Sequence, residues 1–172
     1  MKRLCLMRHA KSDWSDPAQD DYHRPLNERG GRTAKFMADY IMRSAYKPDA
    51  VLCSTATRAL ATFEPLKVRL AGTVPVSYRD QLYHAMPDVM LEEIRATDDA
   101  VGTLLLVGHN PGLVLLAMAL AEDPENPVAL LVENGVPTGG LAVFDFNIES
   151  WKDVDEGKGR SVFFGRPRDL MV

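Results

Sequence analysis

The feature that most constrains this chain is an alternation. Short apolar runs of strand length, Leu4–Met7, Ala50–Cys53, Val74–Tyr78 and Leu104–Val107, are separated by segments whose apolar residues recur at helical spacing. Parallel strands need crossover connections, which helices supply. The pattern therefore specifies an α/β fold with a mostly parallel central sheet between two helical layers, a three-layer sandwich. Leu141–Phe146 reads as a fifth strand and Ser161–Phe164 as a short edge strand. No repeat, low-complexity tract or linker divides the sequence, so residues 1–172 are expected to form one domain.

The helices carry their own start signals. Asn27 suits an N-cap, ahead of a face made by Ala34, Met37, Ala38 and Ile41. A second helix is expected from Thr57, with Pro65 inside it predicting a kink or a break. Pro87 suits the first turn of a helix running towards Thr97. After the fourth strand, Asn110 is placed to cap and Pro111 to open a helix over Leu113–Ala121, apolar enough to predict deep burial. The tract Glu149–Lys158 reads as polar loop.

Charge narrows the function classes. Twenty basic against 24 acidic residues give a net charge of −4, so no global positive field exists to hold nucleic acid or an anionic membrane. Any anion site must be built locally. Cys5 and Cys53 lie in apolar runs and are expected to be reduced, buried thiols. The run at Leu4–Met7 is too short for a signal peptide, and no segment reaches the roughly eighteen apolar residues of a membrane span. A cytoplasmic location is the expectation.

In open α/β sheets, ligands gather beyond the carboxyl ends of the strands, where loops and helix N-termini converge. The first strand is followed there by Arg8 and His9, the second by Ser54-Thr55-Ala56-Thr57-Arg58, and the fourth by Gly108 and His109. Two arginines and two histidines thus meet on one rim. Guanidinium forks match phosphoryl oxygens, and an imidazole at a helix start adds a donor. A second, neutral imidazole can attack phosphorus and split one displacement into two. Each residue also has a plainer reading: Arg8-His9 as a loop pair, His109 as a turn residue, Arg58 as a solvated helix residue. Their joint occurrence at three strand ends favours the phosphate site. His23 and His84 have no such support and default to solvated loops. No His-x-x-x-His or Cys-x-x-Cys pair indicates a metal, and no glycine-rich nucleotide loop is present, so no cofactor is expected.

These segments resemble the histidine phosphatase superfamily, which includes the cofactor-dependent phosphoglycerate mutases, and within it the SixA-type phosphohistidine phosphatases. The matching blocks are Leu6-Met7-Arg8-His9-Ala10-Lys11, Arg24-Pro25-Leu26-Asn27-Glu28-Arg29-Gly30, Ser54-Thr55-Ala56-Thr57-Arg58-Ala59 and Val107-Gly108-His109-Asn110-Pro111-Gly112. Thr138-Gly139-Gly140-Leu141 and Arg166-Pro167-Arg168-Asp169-Leu170 also fit. The resemblance implies a phosphoglycerate mutase-like fold, with His9 as nucleophile, Arg8 and Arg58 as phosphate ligands and His109 as the second histidine. It places Arg24 in a loop bordering the pocket, a weaker candidate for substrate contact. If the Thr138 loop borders the same pocket, the fifth strand must run antiparallel.

Two departures bear on substrate. Mutase-like members place a general-acid Glu where this chain has His84, after Arg79-Asp80-Gln81-Leu82-Tyr83. An alkoxide leaving group needs a proton in the transition state, whereas a protonated phosphohistidine ring leaves neutral. The connection over Val74–Thr97 is also short, and the larger members use an insertion there to cover the pocket. An open pocket can receive a phosphorylated side chain of another protein. The expectation is a metal-independent phosphatase of phosphohistidine in proteins, with His84 at the substrate. The rivals are a phosphatase of small phosphomonoesters, with Asp80 or His84 as acid, and a binding module that does not hydrolyse.

Overall fold

The first strand, β1 (Lys2–Arg8), lies inside the sheet because both of its faces are apolar: Leu4 and Leu6 point to one side, Cys5 and Met7 to the other. The computed structural model describes residues 1–172. Five further strands complete the sheet: β2 (Ala50–Ser54), β3 (Val76–Arg79), β4 (Thr103–Gly108), β5 (Leu141–Phe146) and β6 (Arg160–Gly165). Their order is β3-β2-β4-β1-β5-β6. The first four are mutually parallel, while β5 runs antiparallel to β1 and β6 antiparallel to β5. The reversal at β5 brings the Thr138 loop to the carboxyl end of β1, where Gly139 N donates to the carbonyls of Arg8 and His9 at 3.1 and 3.0 Å. Gly139 sits at φ +76°, which a glycine adopts without strain.

Helices α1 (Glu28–Arg43) and α2 (Thr57–Leu70) cover one face of the sheet, burying Met37, Ile41, Phe63 and Leu66 against Cys5, Val51 and Val107. Helices α3 (Pro87–Arg95), α4 (Gly112–Leu120) and α5 (Pro127–Glu133) cover the other, where Leu4, Leu104 and Phe144 meet Ile94, Leu116 and Val132. A one-turn α6 (Pro167–Leu170) follows β6. Asn27 caps α1 as its sequence implies, accepting from Gly30 N at 2.8 Å.

Four local expectations are corrected. Of the kink or break expected at Pro65, the break does not occur: α2 continues through it, because Phe63, Leu66 and Leu70 on its buried face outweigh one lost backbone bond. Asn110 does not cap α4: its side-chain amide donates to Val136 O at 2.9 Å, and Pro111 takes the cap position. Nor is α4 buried all round, since Leu115 and Met118 are more than 40% exposed. The tract read as polar loop holds a 3₁₀ turn whose Trp151 is fully buried and donates its indole N–H to Val101 O at 2.8 Å. Restoring the missing donor in α2 should stabilise the protein: Pro65→Ala is expected to raise the unfolding free energy by about 1–2 kcal/mol, less than the full helical penalty of proline because proline also stiffens the unfolded chain. Urea denaturation measures it, and a loss of stability would show that the ring's packing matters more than the backbone bond.

Candidate active site

The carboxyl ends of β1, β2 and β4 open onto a cavity of about 230 Å³ lined by Arg8, His9, Arg58 and His109. His9 is held at the end of β1 by a short chain: Ala10 N donates to Thr62 Oγ1 at 2.9 Å, and that hydroxyl donates to Arg58 O at 2.7 Å. The same links fix the first turn of α2 against the His9 loop. His9 Nδ1 lies 2.8 Å from the carbonyl of Ala10. A carbonyl only accepts, so Nδ1 carries the ring's hydrogen and Nε2 keeps its lone pair. Arg58 Nε lies 3.3 Å from that Nε2.

Burial first, and the positive charge of Arg58 and Arg8 next, hold the His9 pKa down to about 4, against the opposing pull of the Ala10 carbonyl. His109 is lowered further, to about 3, by burial and by His9 and Arg58. Both rings are neutral at physiological pH. Their centroids are 5.2 Å apart. His109 Nε2 is 2.8 Å from Ser54 Oγ, a hydroxyl able to serve either tautomer, while its Nδ1 is buried without a partner. Arg8 Nη1 donates to Val136 O at 3.1 Å, and its buried Nε also lacks a partner. Buried polar groups left without a partner are costly.

Four residues singled out in the sequence, Arg8, His9, Arg58 and His109, are therefore brought together. His84 joins them at the rim: its Nε2 lies 3.2 Å from Arg58 Nη2 and 3.2 Å from Asp21 Oδ2. Its loop can approach because Gly112 opens α4; a Cβ there would fall 1.9 Å from Ala85 O. Arg24 is placed elsewhere. Its guanidinium is buried beneath Trp14, 3.7 Å from the ring centroid, and donates to Asp13 O and Gln19 O at 3.2 Å each. It braces the loop over residues 12–24 rather than lining the cavity. Asp80 likewise faces away, accepting from Thr55 Oγ1 at 2.6 Å. His23 is a solvated partner of Asp20.

Sequence reasoning missed Asp21, Tyr83 and Trp14. Asp21 accepts from Arg58 Nη2 at 2.9 Å and from Tyr83 OH at 2.6 Å, and its carbonyl takes Arg58 Nη1 at 2.6 Å. Burial alone would raise its pKa, but the Tyr83 and Arg58 hydrogen bonds prevail and hold it below the usual carboxylate value. Nothing in the sequence distinguishes Asp21 from Asp13, Asp16 or Asp20 in the same loop. No three His, Cys, Asp or Glu side chains are grouped so as to hold a metal ion.

A mostly parallel sheet covered on both faces, extended at one edge by an antiparallel pair, is the phosphoglycerate mutase-like fold. The model of the histidine phosphatase superfamily (branch 1) matches residues 4–85. A structure from Agrobacterium tumefaciens, assigned as the phosphohistidine phosphatase SixA, superposes with a TM-score of 0.80 at 32% identity over 96% of this chain and 98% of that one. Another so assigned, from Nakamurella multipartita, gives a TM-score of 0.84 at 27% identity over 96% of each chain. An uncharacterized Mycobacterium tuberculosis protein is 39% identical over 164 residues, which cover 94% of this chain and all of the relative. The chain belongs to the histidine phosphatase superfamily and is of the SixA type. It is a phosphatase of that superfamily. No helix is long and apolar enough to cross a membrane.

Proposed function

We propose that the protein removes phosphate from phosphohistidine in proteins, without a metal, by covalent transfer to His9. The observation that carries the reading is the state of His9: its Nδ1–H is committed to Ala10 O at 2.8 Å, and its Nε2 lone pair lies 3.3 Å from Arg58 Nε. The neutral Nε2 attacks phosphorus, the substrate's P–N bond breaks, and the protonated substrate ring departs as neutral imidazole. Arg8 and Arg58 offset the charge on the transferring group. The intermediate carries phosphorus on Nε2 and hydrogen on Nδ1, an imidazolium. Water then attacks phosphorus, the ring leaves neutral, and both water protons depart on dihydrogen phosphate.

The leaving group decides between P–N and P–O substrates. No Glu stands at the pocket, and its one carboxylate, Asp21, is held ionised by Tyr83 and Arg58. An alkoxide therefore finds no carboxylic acid to protonate it. His84 is the one candidate acid at the rim, and it supports the second reading, a phosphatase of small phosphomonoesters. Phosphate release from a phosphorylated histidine-containing carrier protein should exceed release from p-nitrophenyl phosphate, and EDTA should change neither rate. A chelator-sensitive rate restored by metal would replace this mechanism with a metal-dependent one. His84→Glu should raise monoester hydrolysis relative to phosphohistidine hydrolysis by about tenfold or more, below the full value of a well-placed acid. Slower monoester turnover in that variant would identify His84 as the acid and favour the small-molecule reading.

A further inference from the structure

Beside the phosphoryl pocket lies a larger cavity of about 620 Å³, and Lys11 and Thr138 line both. Its cations are Lys11, Arg29, Arg32, Arg166 and Arg168, and no carboxylate lines it. In a chain whose net charge is −4, this is a local reversal of sign. The cations come from separate parts of the fold: the loop after β1, the start of α1, and the C-terminal segment at α6. Arg32 leans on Glu28, and Arg166 on Asp169, both of which lie outside the lining. Thr138, which lines both, and Pro137, which lines the larger, belong to the segment Val136–Gly140, to which Arg8 is bonded through Val136 O and Gly140 O.

We infer that this basic cavity receives acidic side chains flanking the phosphohistidine of a protein substrate. The inference rests on the phosphohistidine reading and extends it to partner choice. Two observations favour a protein over a small polyanion. Lys11, Arg29, Arg32 and Arg168 are exposed, 60% for Arg32 and 71% for Arg168, and Arg166 is half-buried, whereas small-ligand sites fix their anions with buried donors. Exposed charges of one sign instead steer and select macromolecular partners. The second observation is Trp14, which lines the phosphoryl pocket yet is 66% exposed, with its ring held over the guanidinium of Arg24. A braced, exposed tryptophan beside a reaction centre is the kind of anchor that protein interfaces use.

The test uses two synthetic peptides that differ only in flanking residues, three Glu against three Ala around one phosphohistidine, with phosphoramidate as a substrate lacking any flank. At low ionic strength the Glu peptide should have the higher kcat/KM by about tenfold, an advantage that fades in high salt. Arg29→Glu with Arg168→Glu should erase the ratio between the two peptides. Lys47→Glu with Lys67→Glu, which changes net charge equally at exposed sites outside the cavity, should preserve it. Equal kcat/KM for both peptides in the unsubstituted enzyme overturns the inference. So does inhibition by inorganic pyrophosphate that the Arg29→Glu/Arg168→Glu variant relieves while the Glu peptide has no advantage, which would assign the cavity to a small polyanion. If the unsubstituted enzyme turns over neither peptide nor phosphoramidate, the phosphohistidine reading itself falls. Fluorescence polarisation of the labelled peptides, which needs no turnover, then reports whether the cavity still prefers the acidic flank.

Discussion

If His9 is the nucleophile proposed above, His9→Ala should lower steady-state phosphate release by about 10⁴-fold or more, the scale expected when one member is removed from groups that act as a unit. The fold should survive. His9 is 6% exposed, but it forms the wall of a polar cavity at a strand end and is not part of either apolar cluster. In the unsubstituted enzyme, rapid quench with labelled substrate should capture phosphate on Nε2 of His9 rather than Nδ1, since Nδ1 is held 2.8 Å from Ala10 O. Label on any other residue, or a variant that still turns over, would remove His9 from the reaction.

The same ring sets the response to acid. His9 and His109 have pKa values lowered from 6.5 to about 4 and about 3. Both should stay neutral as pH falls through the range where an exposed histidine protonates. In the unfolded chain they would take up protons below about 6.5 while the native state does not, so stability is complete above that pH and is lost as pH falls towards 4 and 3. Imidazole NMR titration checks the native values, and denaturant midpoints across pH 7 to 4 check the linkage. A His9 ring titrating near 6.5 would mean that its burial does not shape its chemistry.

Periodicity and strand ends made four residues of the site legible in the sequence. Arg8, His9, Arg58 and His109 each lie at or just after a strand, in positions that a parallel sheet must bring to one edge. His84 was reachable only through the family pattern, because its position depends on a loop docking against Gly112. Asp21 and Trp14 were not reachable at all. The loop over residues 12–24 has no apolar period, and its path is set by Arg24 bonding to Asp13 O and Gln19 O, contacts that no spacing rule encodes. The short α5 escaped for a related reason, having too few residues to show a helical face. Trp151 was hidden by its polar neighbours, though a tryptophan in such a tract is itself a hint of burial.

Arg58→Lys is expected to lower kcat by about 10²–10³, the range associated with losing one well-placed donor to a developing charge. Arg58 spreads its fork over several partners at once: Nε faces His9 Nε2 at 3.3 Å, Nη1 donates to Asp21 O at 2.6 Å, and Nη2 reaches Asp21 Oδ2 at 2.9 Å and His84 Nε2 at 3.2 Å. A lysine ammonium has a similar reach but is a point charge, so it cannot brace the residue 12–24 loop through Asp21 and face the phosphoryl group together. Arg8→Lys should show a comparable loss, since Arg8 lines the pocket while its Nη1 donates to Val136 O, a division of its fork that a point charge cannot reproduce. Charge is conserved in both variants. Any deficit thus measures geometry, and it should fall on kcat more than on KM if the forks tighten on the transition state. The two substitutions should not add if both guanidiniums act on one phosphoryl group, since they line the same pocket. Near-normal kcat/KM in both lysine variants would show that the pocket needs only positive charge, and the bidentate account of phosphoryl binding would be wrong.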